Sequence, residues 1–222
     1  MPDYRTVLFD LDGTLADTAP DLATSLNILR REEGLEELPY GQIRAHVSNG
    51  SSALIRIGFD SDEREPDFER RRLRLLDIYR QHLCVETRLF PGMAAVLDEL
   101  DRRRCRWGIV TNKPGWLTEP LVAAMGLAGR AACIVSGDTV SRRKPHPEPL
   151  LHAAAMTGVM PGECVYIGDA SRDVLAGHGA GMGTLVALYG YIVEGDDPRG
   201  WGADALIEMP EEVLSWVAPD AT

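Results

Sequence analysis

Lysine is almost missing from this 222-residue chain: Lys113 and Lys144 are the only two, beside 21 arginines. An excess of positive charge is missing too, since 34 acidic residues outweigh 23 basic ones and leave a formal net charge of −11. A field of that sign repels a phosphate backbone, which excludes general nucleic-acid binding. It would also repel small anions unless a metal ion or a focused cationic pocket reverses the potential locally. Cysteine is scarce. Cys84, Cys105, Cys133 and Cys164 contain no CxxC pair, so neither a zinc ribbon nor a dense disulfide framework is indicated, and four reduced, mostly buried thiols are expected. No apolar run approaches the ~18 residues of a membrane helix, and Met1-Pro2-Asp3-Tyr4-Arg5 has no signal-peptide layout. The expected location is the cytoplasm, with no membrane partner.

What remains is globular in composition, with 45% apolar and 26% charged residues, so wholesale disorder is excluded. The length suits one domain of roughly 150 residues carrying a smaller insertion. Val7-Leu8-Phe9, Gly108-Ile109-Val110, Cys133-Ile134-Val135, Val165-Tyr166-Ile167 and Thr184-Leu185-Val186 are short apolar runs without polar alternation. Such runs fit strands buried on both faces of a parallel sheet, and Ala205-Leu206-Ile207 is a sixth candidate. Helix-period segments lie between them, with Met93, Val96, Leu97 and Leu100 in one and Leu117, Leu121 and Met125 in another. The alternation predicts an α/β doubly wound parallel sheet, Rossmann-like in its core. Residues 18–86 break the rhythm. Leu22, Leu26 and Leu29 form a stripe that ends near Gly34, a second helical stretch covers 40–58, and a third covers 66–83 with Phe68, Leu73, Leu76 and Tyr79. We read residues 18–86 as a helical cap inserted into a core made of 1–17 and 87–222. The arginines at 70–74 read as a solvated helix face.

Four polar features follow strands: Asp10-Leu11-Asp12-Gly13-Thr14, Thr111-Asn112, Lys144-Pro145, and Gly168-Asp169 with Asp173. In open α/β sheets the carboxyl ends of the strands meet at one crevice, so these sets should converge. Phosphoryl transfer gives each residue type a task. Asp10 can attack phosphorus and hold it as an aspartyl-phosphate, and Asp12 can serve as general acid and then base. Gly13 lets the chain turn sharply after the strand. Asp10, Asp169 and the Asp12 carbonyl form an oxygen set suited to Mg²⁺. Asp173 is better placed behind them, orienting a bound water or Lys144. The Thr111 hydroxyl and Asn112 main-chain N–H can meet the transferring group, and Lys144 supplies fixed positive charge. Both lysines fall in these motifs, so a lysine at 144 answers a local need for a compact ammonium.

On these residues the chain resembles the haloacid dehalogenase-like superfamily of phosphotransferases. The supporting stretches are Phe9-Asp10-Leu11-Asp12-Gly13-Thr14-Leu15, Val110-Thr111-Asn112-Lys113-Pro114, Lys144-Pro145-His146-Pro147, Ile167-Gly168-Asp169 and Leu188-Tyr189-Gly190-Tyr191. It looks like the branch with a helical cap after the first motif, near the bacterial phosphoglycolate phosphatases and the N-acetylmuramic acid 6-phosphate phosphatases. The resemblance implies Asp10 as nucleophile, Asp12 as acid/base, Mg²⁺ held by Asp10, Asp12 and Asp169, and phosphate gripped by Thr111, Asn112 and Lys144. It also implies a small anionic phosphomonoester as substrate, 2-phosphoglycolate first among them, and a monomer or homodimer. A sugar-phosphate phosphatase and a phosphosugar mutase are the enzyme alternatives. A receiver-like phosphoacceptor module is the non-enzyme alternative. Asp12 with Asp169 argues against dehalogenation, and the absence of lysine from 18–86 argues against Schiff-base chemistry.

The cap's substrate-facing element is expected to be a turn between helical stretches at Ser48-Asn49-Gly50-Ser51, with Asn49 and Gly50 near the leaving group. Tyr189 and Tyr191 read as buried aromatics at a strand end.

Overall fold

A computed structural model describes residues 4–219; Met1 to Asp3, part of the stretch read above for a leader, lie outside the described residues. In chain order, β1 (Thr6–Phe9) leads to the two-residue strand β2 (Ala16–Asp17). The helices α1 (Ala19–Glu32), α2 (Tyr40–Arg44), α3 (Gly50–Phe59) and α4 (Phe68–Gln81) follow, and β3 (Arg88–Leu89) brings the chain back. Then come α5 (Met93–Arg102), β4 (Arg106–Val110), α6 (Gly115–Ala124), β5 (Cys133–Val135) and α7 (Glu148–Thr157). β6 (Cys164–Gly168), α8 (Ser171–Ala180), β7 (Gly183–Ala187) and β8 (Ala205–Ile207) complete the order.

Every apolar run picked out in the sequence is a strand of one six-stranded sheet, ordered β5-β4-β1-β6-β7-β8 and parallel throughout. The four residues of β1 and the five of β7 are all buried, as a sheet covered on both faces requires. Side chains alternate between the two covers. Val7 and Phe9 join the core that holds Val96, Leu97 and Leu100 of α5, whereas Leu8 joins the one that holds Leu150 of α7 and Ala176 of α8. β1 pairs with β4 on one side and β6 on the other, with Phe9 level with both Ile109 and Ile167. The chain runs outward in opposite directions from this centre, and the resulting crevice lies where the motif residues leave β1, β4 and β6.

The segment between β2 and β3 is helical, as expected, and Leu22, Leu26 and Leu29 are buried. The stretch at 40–58 is two helices, divided at the turn expected around Ser48-Asn49-Gly50-Ser51. A single 3₁₀ turn at Val47–Asn49 separates α2 from α3, and Gly50 adopts φ 80°, a left-handed conformation that glycine enters without steric cost. In α4 the buried residues are Phe68, Leu75, Ile78 and Tyr79. Leu73 is 54% exposed and borders a cavity, and half-buried Leu76 borders that cavity while packing against the core. The arginine run binds α4 to α1, with Arg70 and Arg71 on Glu33 at 2.8 and 2.9 Å and Arg74 on Glu32 at 2.6 Å.

Two residues per strand are too few to read from sequence, yet β2 and β3 pair antiparallel, Ala16 with Leu89 and Asp17 with Arg88. Buried Asp21 reinforces this closure by accepting hydrogen bonds from Glu86 N, Thr87 N and Thr87 Oγ1 at 2.8, 3.0 and 2.7 Å. Cys105, Cys133 and Cys164 are buried, Cys84 is partly so, and all four are free. Among the described residues no helix is long and apolar enough to cross a membrane.

Candidate active site

The strand ends do converge. Asp10 leaves β1 with its N–H on the Ile167 carbonyl at 2.8 Å, which locks it to β6. Its Oδ1 accepts the Leu11 N–H at 2.8 Å and faces Lys144 Nζ at 2.9 Å. Among the described residues no donor reaches Oδ2. One ligand oxygen from each of Asp10, Asp169 and Asp173 falls within 4.8 Å of the others, and all three residues are buried. Three carboxylates this close repel one another, and burial removes the water that would screen them. Burial accordingly raises Asp10 to about 6, with Lys144 opposing the shift. Burial, then the charges of Asp10 and Asp173, raise Asp169 to about 7.

Asp169 is held by one oxygen only. Its Oδ2 accepts Ser48 Oγ at 2.6 Å and the Tyr191 N–H at 2.9 Å, whereas Oδ1 is buried with no hydrogen-bond partner. An orphaned carboxylate oxygen beside two further carboxylates is the environment that a hard divalent cation satisfies. Gly13 makes the approach possible. It sits at φ 82°, and a Cβ there would lie 2.0 Å from Asp169 Oδ2.

Asp12 is oriented differently. Its side chain stays out of the carboxylate cluster, and Oδ1 instead accepts Thr18 Oγ1 at 2.6 Å and Lys113 Nζ at 2.7 Å. The Asp12 carbonyl, the atom expected to face a metal, accepts Ser48 Oγ at 3.2 Å. Lys113 also rests 4.7 Å from the centre of the Tyr79 ring of α4. Burial works to lower the Lys113 pKa, but Asp12 and Tyr79 outweigh it and hold the ammonium above its ordinary range.

Lys144 is fully enclosed. It pairs with Asp173 Oδ1 at 2.8 Å as well as with Asp10, and donates to Tyr166 Oη at 2.6 Å. Burial pulls its pKa down while Asp10 and Asp173 more than restore it. Its backbone is gripped by Asn112, whose Nδ2 donates to the Lys144 carbonyl and whose Oδ1 accepts the Lys144 N–H, both at 3.0 Å. Thr111 is buried, its N–H on the Val135 carbonyl at 2.9 Å and its Oγ1 accepting the Lys113 N–H at 3.1 Å.

A cavity of about 610 Å³ opens above these groups. Asp10, Asp12, Thr111 and Asn112 line it from the sheet side, and Asn49 and Gly50 from the helical side. Lys144, Asp169 and Asp173 stay behind the wall, reaching the cavity through Asp10. Sequence reasoning missed three contributors. Lys113 lies within a quoted motif, but its pairing with Asp12 was not anticipated. Arg172 donates from α8 to the Ser48 carbonyl and, at 3.1 Å, to Asn49 Oδ1, and nothing in its sequence context marks it. Tyr191 is 2% exposed, as a buried aromatic should be, but its backbone orients Asp169 and its hydroxyl joins Asp17 Oδ1 at 2.6 Å with the Ala19 N–H at 2.9 Å.

The sequence profile of haloacid dehalogenase-like hydrolases matches residues 7–187. A phosphoglycolate phosphatase from Xanthomonas campestris pv. campestris is 42% identical over 97% of this chain and 98% of its own. An N-acetylmuramic acid 6-phosphate phosphatase from Pseudomonas putida is 39% identical over 94% of each. The crystal structure of a predicted phosphoglycolate phosphatase from Haemophilus somnus superposes with a TM-score of 0.85 at 26% identity, covering 97% of this chain and 98% of that one. A strand at the centre of a parallel sheet that ends in Asp10, the motif order along the chain and the extent of these matches agree: the chain belongs to the haloacid dehalogenase-like hydrolase family.

Proposed function

We propose that this protein is a cytoplasmic, Mg²⁺-dependent phosphomonoesterase that works through an aspartyl-phosphate on Asp10, with 2-phosphoglycolate as its substrate. The observation that carries the reading is the state of Asp10: on the cavity wall, fixed through Oδ1, with no donor on Oδ2 among the described residues. In the first step Asp10 Oδ2 bonds to phosphorus as the ester P–O bond breaks, and Asp12 delivers a proton to the departing alkoxide. In the second, Asp12 takes a proton from water, whose oxygen displaces the aspartyl carboxylate and releases inorganic phosphate. Lys144 supplies positive charge to the phosphoryl group from behind Asp10, the Asn112 N–H faces its oxygens, and Thr111 fixes the loop that presents them. Asp10, Asp169 and the Asp12 carbonyl would hold Mg²⁺, which when bound neutralises charge on the transferring group. Residues 18–86 act as the cap, and Ser48, Asn49 and Gly50 bring it onto the site.

The cavity supports a second reading. At about 610 Å³ it far exceeds what a two-carbon acid fills. Its mouth also presents apolar Leu73 and Trp116, 54% and 46% exposed, which suit a sugar ring. An N-acetylmuramic acid 6-phosphate phosphatase fits that shape. Asp10→Asn should abolish release of phosphate from an aryl phosphate at any Mg²⁺ concentration, and chelation should silence the wild type reversibly. Residual turnover in the variant above a few per cent would remove the nucleophile assignment. Appearance of an isomeric sugar phosphate without free phosphate would instead indicate a mutase. A phosphoprotein that persists after acetyl phosphate treatment would indicate a receiver-like module.

A further inference from the structure

Four cations line the cavity: Arg72, Lys113, Arg143 and Arg172. Three are already engaged. Arg72 holds both carboxylate oxygens of Glu69 at 2.7 Å, Lys113 holds Asp12, and Arg172 reaches the 3₁₀ turn at Ser48 and Asn49. Arg143 is different. Its Nε donates to the Gly137 carbonyl at 2.7 Å, which fixes the guanidinium plane, and its two Nη groups meet no acceptor among the described residues. No carboxylate pairs with it there, although the chain carries 34 acidic residues. Asp138, also on the wall, is turned to the Gly115 N–H at 2.8 Å.

Position separates Arg143 from the phosphate end. Asp10 is 5% exposed at the cavity floor, and Lys144, the next residue along from Arg143, supplies the positive charge there from behind. Arg143 itself is exposed, at the rim, where the alcohol half of an ester would extend. A guanidinium anchored through Nε keeps its paired Nη donors in the planar fork that matches a carboxylate, which a lysine could not offer. Resting on the phosphomonoesterase reading, we propose that Arg143 determines specificity by pairing with a carboxylate on the leaving group. The substrate class is then a phosphomonoester whose alcohol portion is itself an acid. Both readings above share that chemistry, whichever ring or chain carries it.

The test compares matched esters that differ in the acid. One pair is 2-phosphoglycolate and 2-hydroxyethyl phosphate; the other is N-acetylmuramic acid 6-phosphate and N-acetylglucosamine 6-phosphate. For the pair turned over better, wild type should prefer the acid, and Arg143→Gln should cut the acid-to-neutral ratio of kcat/KM by about tenfold or more through KM, as loss of a charge-assisted pair does. Arg143→Lys should recover part of the ratio, which a folding defect would not. An unchanged ratio, or an equal fall for acid and neutral ester, overturns the proposal while leaving the phosphatase reading intact. Failure of wild type to release phosphate from any of the four esters overturns both.

Discussion

Asn112 and Lys144 hold each other by two antiparallel hydrogen bonds, the amide of one side chain spanning the main chain of the other at 3.0 Å each way. The enclosed ammonium is thus set in place from the neighbouring strand end before any ligand arrives, the preorganisation that electrostatic catalysis needs. It also leaves the Asn112 main-chain N–H for the proposed contact with the phosphoryl group while its side chain does structural work.

Replacing Asn112 with Ala should therefore damage Lys144 more than stability in general. Leaving a buried donor and acceptor unpaired costs about 1–3 kcal/mol each. We expect kcat/KM on an aryl phosphate to fall by roughly two orders of magnitude, with Asn112→Asp only partly active because it keeps an acceptor for the Lys144 N–H. Steady-state kinetics beside thermal unfolding separate the two effects.

Gly13→Ala should remove activity outright. The added methyl meets Asp169 Oδ2 at 2.0 Å and Ser48 Oγ at 2.7 Å, and the residue must also keep φ 82°. The loss should appear as weaker Mg²⁺ binding by calorimetry, since the displaced group is a proposed metal ligand.

Without divalent metal, stability should decline as pH rises. Asp10 and Asp169 hold their protons more tightly folded than unfolded, at about 6 and about 7 against an ordinary 3.8. Their stabilising contribution is complete below the ordinary value and is lost as pH climbs through 6 and 7. Mg²⁺ requires the deprotonated carboxylates. The rise in Tm that it causes should therefore be larger near pH 8 than near pH 5, readable by scanning fluorimetry with chelator as the control.

Lys113→Met should strand the Asp12 carboxylate in a largely enclosed position, where removing one partner of such a pair costs about 3 kcal/mol. Lys113→Arg should retain part of kcat and Lys113→Met very little, with KM less affected in both. Equal activity in all three proteins would show that Asp12 needs no such neighbour.

Much of this architecture was legible because buried parallel strands leave a plain mark. Val7-Leu8-Phe9 and Val165-Tyr166-Ile167 have no polar alternation, and each is followed at once by a carboxylate that the crevice rule brings together. Helix period was less reliable in α4, because that helix serves two faces: Leu75 and Ile78 pack inward, Leu73 borders a cavity, and Leu76 lies between, touching both. The turn at Ser48-Asn49-Gly50-Ser51 was legible from its small polar residues, whereas its contacts with Asp12, Asp169 and Arg172 were not, since those partners lie far along the chain. Arg172 and Arg143 could not be told from 19 other arginines by spacing alone. Their roles come from which partners the fold supplies and which it withholds.

The antiparallel pairing of Ala16 with Leu89 and Asp17 with Arg88 brings departure and return together at a single seam. Two strands facing this way can be joined by a tight two-residue reversal, so the roof over the cavity is separable in principle from the sheet beneath it. A shortened chain spliced there would keep all six parallel strands and the carboxylates they carry, but leave them open to bulk solvent. Exchanging roofs would spare Asp10, Asp12 and Asp169 themselves, but a new roof would have to supply again the hydrogen bonds that Thr18 and Ser48 give to Asp12 and Asp169.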